Sequence, residues 1–155
     1  MKTYLHQVWL LLMCLVLFAG LFMPIGLLSN YEGATAELTN FRVNFVEGDS
    51  VGAMWGLAVI QIVSLLVSLF ELLLSGFRNF TLQKRLLIFN GLVLVGWYIV
   101  YVAYVLLMKN DASFQPQWAA AFPFIALVLD VMTLIDVFRT EAAIIAGAGS
   151  FRLRD

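Results

Sequence analysis

"MWGLAVIQIVSLLVSLFELLLSG", residues 54–76, decides how this chain must be read. It is long enough to cross a bilayer, whose hydrocarbon core of about 30 Å takes roughly 20 apolar residues of helix. Its polar residues are Gln61, Ser64, Ser68, Glu71 and Ser75, spaced 3, 4, 3, 4. That spacing puts all five on one helical face, with leucine, isoleucine and valine over the rest. A polar stripe is costly against lipid, so it has to face other helices. The stretch therefore predicts a transmembrane helix together with a bundle to receive its stripe. Ser64 and Ser68 suit close helix packing and hydrogen bonds across the seam, and the same stripe could instead line a wetted path. Gly52-x-x-x-Gly56 has the close-contact spacing at the start of the run.

Composition extends this reading to the whole chain. Of 155 residues, 63% are hydrophobic and 12% charged, against about 45–50% and about 25% in soluble domains. The chain is a membrane protein. Cys14 is the only cysteine and His6 the only histidine, which leaves no internal disulfide, metal site or Cys-His catalytic pair. There is no Walker-type glycine loop, HExxH, GxSxG or CxxC, so the sequence points to no enzyme and no cofactor.

Four stretches are long and apolar enough to span: about Val8 to Leu28, Val51 to Ser75, Leu86 to Met108 and Trp118 to Phe138. Lys2, Arg78, Lys84, Arg85, Arg139, Arg152 and Arg154 fall on one side of this arrangement, and only Arg42 and Lys109 on the other. Seven against two predicts both termini in the cytoplasm, with 139–155 as a short cytoplasmic tail. The basic residues hug the span ends, so they read as topology signals and not as a nucleic-acid surface. Lys2 and the apolar run after it resemble a signal peptide, but the run is long and no small-x-small cleavage site follows. In the outer loop 29–50, "FRVNFVEGDS" (41–50) alternates Phe41, Val43 and Phe45 with Arg42 and Asn44 before Glu47-Gly48-Asp49. That predicts a short strand or hairpin, which would be marginal unless it lies on the helix ends.

The last span, "FIALVLDVMTLIDVFRTE" (124–141), contains Asp130 and Asp136. Asp136 and Glu71 lie within a few residues of the cytoplasmic span ends. They are expected to form inner-rim ion pairs with Arg78, Lys84, Arg85 and Arg139. Asp130 lies about 12 Å deep at 1.5 Å per residue. An aspartate there costs about 2.5–3.5 kcal/mol, and the large apolar residues of the span return roughly 4–7 kcal/mol, so the helix still inserts. Pro123, Ala126, Asp130 and Thr133 share a face, which points the acid into the bundle. Gln61, Tyr98, Tyr101 and Thr133 are its expected partners in an intramembrane polar cluster.

"FRNFTLQKRLLIFN" (77–90) resembles the basic N-x-x-L-Q-x-R-L connector of the small four-span inner-membrane proteins of domain-of-unknown-function family DUF4293, typical of Bacteroidota. "HQVWLLLMCLVLFAGLFMPI" (6–25) is similar to that family's opening, and "FPFIALVLDVMTLIDVFRTE" (122–141) with "FRLRD" (151–155) to its last span and basic tail. The tail segment "AAIIAGAGS" (142–150) is blander than the family pattern, and Asp130 stands where a plain aliphatic residue is expected. The resemblance implies four spans and a bacterial inner membrane, and it implies no activity.

Together these readings predict an all-α membrane protein: one domain, a four-transmembrane-helix bundle with a short outer β-hairpin or strand in loop 29–50. The expected role is that of a non-enzymatic accessory or scaffold component in the lipid bilayer. It would pack against another membrane protein or a second copy, with no nucleic acid and no small-molecule substrate. The alternative is a small proton- or ion-linked conduit built on Asp130.

Overall fold

A computed structural model describes residues 5–30, 33, 35–45, 50–53, 55–77, 79–108 and 112–152. Four of its helices, α1 (Leu5–Phe22), α2 (Trp55–Leu74), α3 (Phe80–Met108) and α4 (Phe122–Arg152), are long and apolar enough to cross a membrane. α1 packs on α2 and α4, and α3 packs on the same two, which closes a four-helix ring. Large apolar side chains such as Leu15, Leu66, Leu92, Ile99 and Val131 point outward all round it. An apolar surface of that extent suits lipid and not water.

The helix bounds differ from the expected spans, each for a local reason. α1 stops at Phe22 and not at Leu28, because Pro24 disfavours helix in the residue before it and offers no N–H. Residues expected to finish that span form strand β1 (Gly26–Asn30). Val51 to Ala53, expected to open the second span, belong to a strand, and α2 begins at Trp55. α3 starts six residues before Leu86, at Phe80, where the Asn79 side chain accepts the Leu82 N–H at 3.3 Å in the manner of a helix cap. α4 carries Pro123 in its first turn, where proline is tolerated, and it runs on to Arg152. The expected tail is thus largely helical. Ala142, Ala143, Ala146 and Ala148 are strong helix formers, which accounts for the extension. At 1.5 Å per residue α3 and α4 are about 43 and 46 Å long. α3 begins just after the turn Ser75–Phe77 that closes α2, so its extra length lies toward the sheet, while that of α4 lies at the end away from the strands. There Lys84 of α3 bridges Glu141 of α4.

The expected outer hairpin is part of a larger sheet. Strands β1, β2 (Thr35–Leu38), β3 (Arg42–Phe45) and β4 (Ser50–Ala53) follow one another, and β5 (Ala112–Pro116) comes from the loop after α3. They form one antiparallel five-stranded sheet in the order β4-β3-β2-β1-β5. The expected turn at Glu47 to Asp49 lies outside the described residues. Register pairs Leu27 with Glu37 and Gln115, and Ser29 with Thr35 and Ser113, on the face turned away from the bundle. The opposite face presents Leu28, Ala36 and Leu38, and these pack with Ile25, Leu57, Trp97, Tyr101 and Ala119 at the helix ends. Gly26 belongs to that closure. A Cβ there would run into the edge of the Phe114 ring, so a larger residue has to displace that ring from beneath β1.

Candidate functional site

Each helix turns one stripe into the ring. α1 contributes His6, Leu10, Met13, Leu17 and Gly20. α2 contributes Gln61, Ser64, Ser68 and Glu71. α3 contributes Gln83, Leu87, Asn90, Leu94, Trp97 and Tyr101, and α4 contributes Ala126, Asp130, Thr133 and Val137. The polar face expected of α2 is therefore the core face, and Ser64 and Ser68 lie fully inside. Gly52 is in β4 and shares no helix face with Gly56. The latter sits under the Tyr104 hydroxyl, 3.1 Å from where a Cβ would stand.

Asn90 is the centre of the site. Its carbonyl oxygen accepts the Ser64 hydroxyl at 2.7 Å. Its amide donates to Ser68 Oγ at 3.0 Å and, at a longer 3.5 Å, to Asp130 Oδ1. The same nitrogen faces Met13 Sδ at 3.9 Å, so groups from all four helices meet around one side chain. The Ser68 hydroxyl donates to the Ser64 carbonyl at 2.8 Å. Gly91 makes room on α3, since a Cβ there would stand 3.1 Å from Asp130 Oδ2.

Asp130 points into the bundle as expected, but its partners are not the expected ones. Gln61 instead donates to the Leu17 carbonyl at 2.9 Å and ties α2 to α1. Tyr98 donates to the Ala120 carbonyl at 2.7 Å and Tyr101 to the Ile25 carbonyl at 3.2 Å, both toward the sheet. Thr133 bonds within its own helix, to the Leu129 carbonyl at 2.7 Å. These four side chains are longer-range tethers or helix-internal bonds, and Asn90 takes the place assigned to them. Sequence reasoning missed Asn90 although a signal exists. Gln83, Leu87, Asn90, Leu94, Trp97 and Tyr101 recur at the same 4, 3, 4, 3, 4 spacing that exposes the stripe of α2.

Glu71 is the larger correction. It forms no rim pair: its side chain is 0% exposed, and neither carboxyl oxygen has a hydrogen-bond partner among the described residues. Lys84 goes to Glu141, 2.5 Å away, and lies 4.8 Å above the Phe138 ring. Arg85 and Arg139 are exposed, and Arg78 lies outside the described residues. Asp136 is half-buried and accepts the Trp9 indole N–H at 3.2 Å. The reason is rotational. Depth alone puts Glu71 near the cations, but three residues after Ser68 it faces inward, while Lys84 and Arg85 sit on the outer side of α3. Asn90 bonds both Asp130 and Ser68, and Glu71 follows Ser68 by three residues on the same face, so the two acids occupy neighbouring layers of the core.

Below Glu71, toward the Lys84–Glu141 end, the polar groups continue. Gln83 is buried with its amide nitrogen unpartnered among the described residues. His6 is buried near the start of α1. Gln7 donates to Ser75 Oγ at 3.0 Å. Above Gln61 the core is closed by Leu57, Trp97, Tyr101 and the sheet.

A family model described as a domain of unknown function (DUF4293) matches residues 6–144. That match takes in the sheet, α2, α3 and all but the outer ends of α1 and α4. No curated protein matches the chain.

Proposed function

The chain belongs to the DUF4293 family, whose description assigns no activity, and we propose from its own geometry that it is a non-enzymatic accessory or scaffold component of a membrane protein assembly. It sits in a bacterial inner membrane with both termini in the cytoplasm and the sheet outside. One observation carries this reading: the chain builds a five-stranded sheet and seals one face of it to the bundle. The other face, with Leu27, Ser29, Thr35, Glu37, Ser113 and Gln115, is left as a mostly polar outer platform. Its edge strands, β4 and β5, offer backbone groups for strand addition by a partner.

A conduit running through the bundle has less support. Its expected lining residues Tyr98 and Tyr101 spend their hydroxyls on backbone carbonyls, and large apolar and aromatic side chains fill the sheet end.

The test is a purification from native membranes in gentle detergent, with a photo-crosslinking residue at Glu37 or Ser113. A partner that co-purifies at fixed stoichiometry and crosslinks from both positions supports the reading. A clean monomer or homo-oligomer with no crosslink from the sheet overturns it.

A further inference from the structure

We propose that Glu71 and Asp130 form a proton-binding pair, loaded from the end of the bundle where Lys84 meets Glu141 and closed toward the sheet. The inference goes beyond the accessory role and does not depend on it.

Charge balance comes first. Among the described residues the buried polar side chains are His6, Asn40, Gln61, Ser64, Ser68, Glu71, Gln83, Asn90, Asp130 and Thr133, which include two carboxylic acids and no lysine or arginine. Two like charges in a medium this dry repel strongly, and neither has a buried cation to offset it. The pair therefore holds at least one proton.

Geometry then separates the two acids. Asp130 receives an N–H from Asn90, a contact that favours its carboxylate, while Glu71 receives none. At rest the proton sits on Glu71 and the negative charge on Asp130. A second proton, taken from water, neutralises Asp130 and weakens its bond to Asn90. One proton bound changes the pair's charge by one unit, and no other group need react.

The route follows from the asymmetry of the core. From Glu71 toward the sheet, the ring is filled by Leu17, Leu94, Leu57 and Trp97, all at most 1% exposed; the Gln61 carbonyl oxygen and the Trp97 indole N–H lie unpartnered among them, but neither group titrates. From Glu71 toward the other end come Gln83, with its unpartnered amide, then His6, and the Gln7–Ser75 pair. Among these the His6 imidazole can take and pass a proton, and the amides and the Ser75 hydroxyl can hold the water that carries it, in a layer they share with Leu10, Leu87 and Val137. The other titratable groups near the pair are Cys14 and His6 on α1 and Asp136 on α4, the last bonded to Trp9. On α3, Lys84 is held by Glu141. A metal cation suits the site less well, because Asn90 turns its nitrogen toward Asp130 and Ser68 where a hard cation needs oxygens.

The test is infrared spectroscopy of the full chain in lipid nanodiscs, reading the carbonyl stretch of protonated carboxyl groups. The wild-type protein should show that band at neutral pH, and Glu71→Gln should remove it. On acidification to about pH 6, where ordinary carboxylates stay ionised, the band should grow in wild type and in Glu71→Gln but not in Asp130→Asn. Gln83→Leu should slow its hydrogen–deuterium shift severalfold, and Tyr101→Phe should not. The wild-type titration alone keeps the test decisive if a variant fails to fold. No band at any pH, a band that does not change with pH, or one that survives Glu71→Gln overturns the proposal. So does a band abolished by sodium but not by choline at constant pH, which would make the site a cation site.

Discussion

Asn90 reaches Asp130 across 3.5 Å while its carbonyl holds Ser64 at 2.7 Å, so one amide joins α2, α3 and α4 at the middle of the bundle. In an apolar medium a severed partner is the main cost, because the orphaned group has no water to turn to. Asn90→Leu strands Asp130 and leaves the Ser64 hydroxyl without its acceptor. It should lower stability by about 1–3 kcal/mol, read from thermal unfolding in detergent. The double variant Asn90→Leu/Asp130→Leu should recover part of that loss, since apolar replacement of both partners removes the orphan. A double variant less stable than Asn90→Leu alone would show that Asp130 draws its support from elsewhere.

Sheet closure rests on a different constraint. Gly26→Ala runs a methyl into the edge of the Phe114 ring, so β1 and β5 must shift or Phe114 must leave its place. Overpacking of this kind costs about 1–3 kcal/mol. Phe114→Ala should offset much of the effect of Gly26→Ala, giving a coupling energy between the two sites. Simple additivity in that double-mutant cycle would count against the contact.

Much of this architecture is legible in the residues. The 3, 4, 3, 4 spacing on α2 identifies both the helix and its inward face, and the structure keeps Gln61, Ser64, Ser68 and Glu71 on that face. The sheet is harder to foresee. β1 reads as the end of an apolar span until Pro24 is given its full weight, and its neighbour β5 lies more than 80 residues away, as Ser29↔Ser113 shows. No local pattern announces a pairing of that separation. Glu71 illustrates a conflict between two correct measures. Its depth suggests the rim, its helical angle puts it in the core, and the angle prevails because it turns the side chain into the ring while Lys84 is held by Glu141. Asn90 escapes notice because only Gln83 and Asn90 are polar on a stripe otherwise made of leucines and aromatics.

Topology gives a direct check on the proposed orientation. In a Cys14→Ser background, Glu37→Cys puts a thiol on the outward face of the sheet, and Ala143→Cys puts one on the exposed far end of α4. A membrane-impermeant maleimide applied to whole cells with a permeable outer membrane should label the first and spare the second. Labelling of Ala143→Cys before lysis would reverse the orientation, and with it the side from which the acid pair is loaded.

The sharpest contrast lies between Glu71 and Lys84. A rim ion pair would make both important to stability in the same sense. The observed geometry predicts opposite signs. Lys84 and Glu141 are a partly exposed pair, 20% and 28% accessible. Pairs of that kind contribute about 0.2–1 kcal/mol, so Lys84→Met should cost no more than that. Glu71 has two buried oxygens without partners, which is a cost carried by the folded state. Glu71→Leu removes the unpartnered oxygens while keeping an apolar body in the same layer as Leu10 and Leu87. It should raise stability by about 1–3 kcal/mol, read as a higher midpoint of thermal unfolding. A stabilised Glu71→Leu protein identifies an acid retained at the expense of stability, as expected of a side chain that works with protons and not as a strut. A destabilised one means Glu71 has a partner in the folded bundle, and the assignment of the resting proton to it fails.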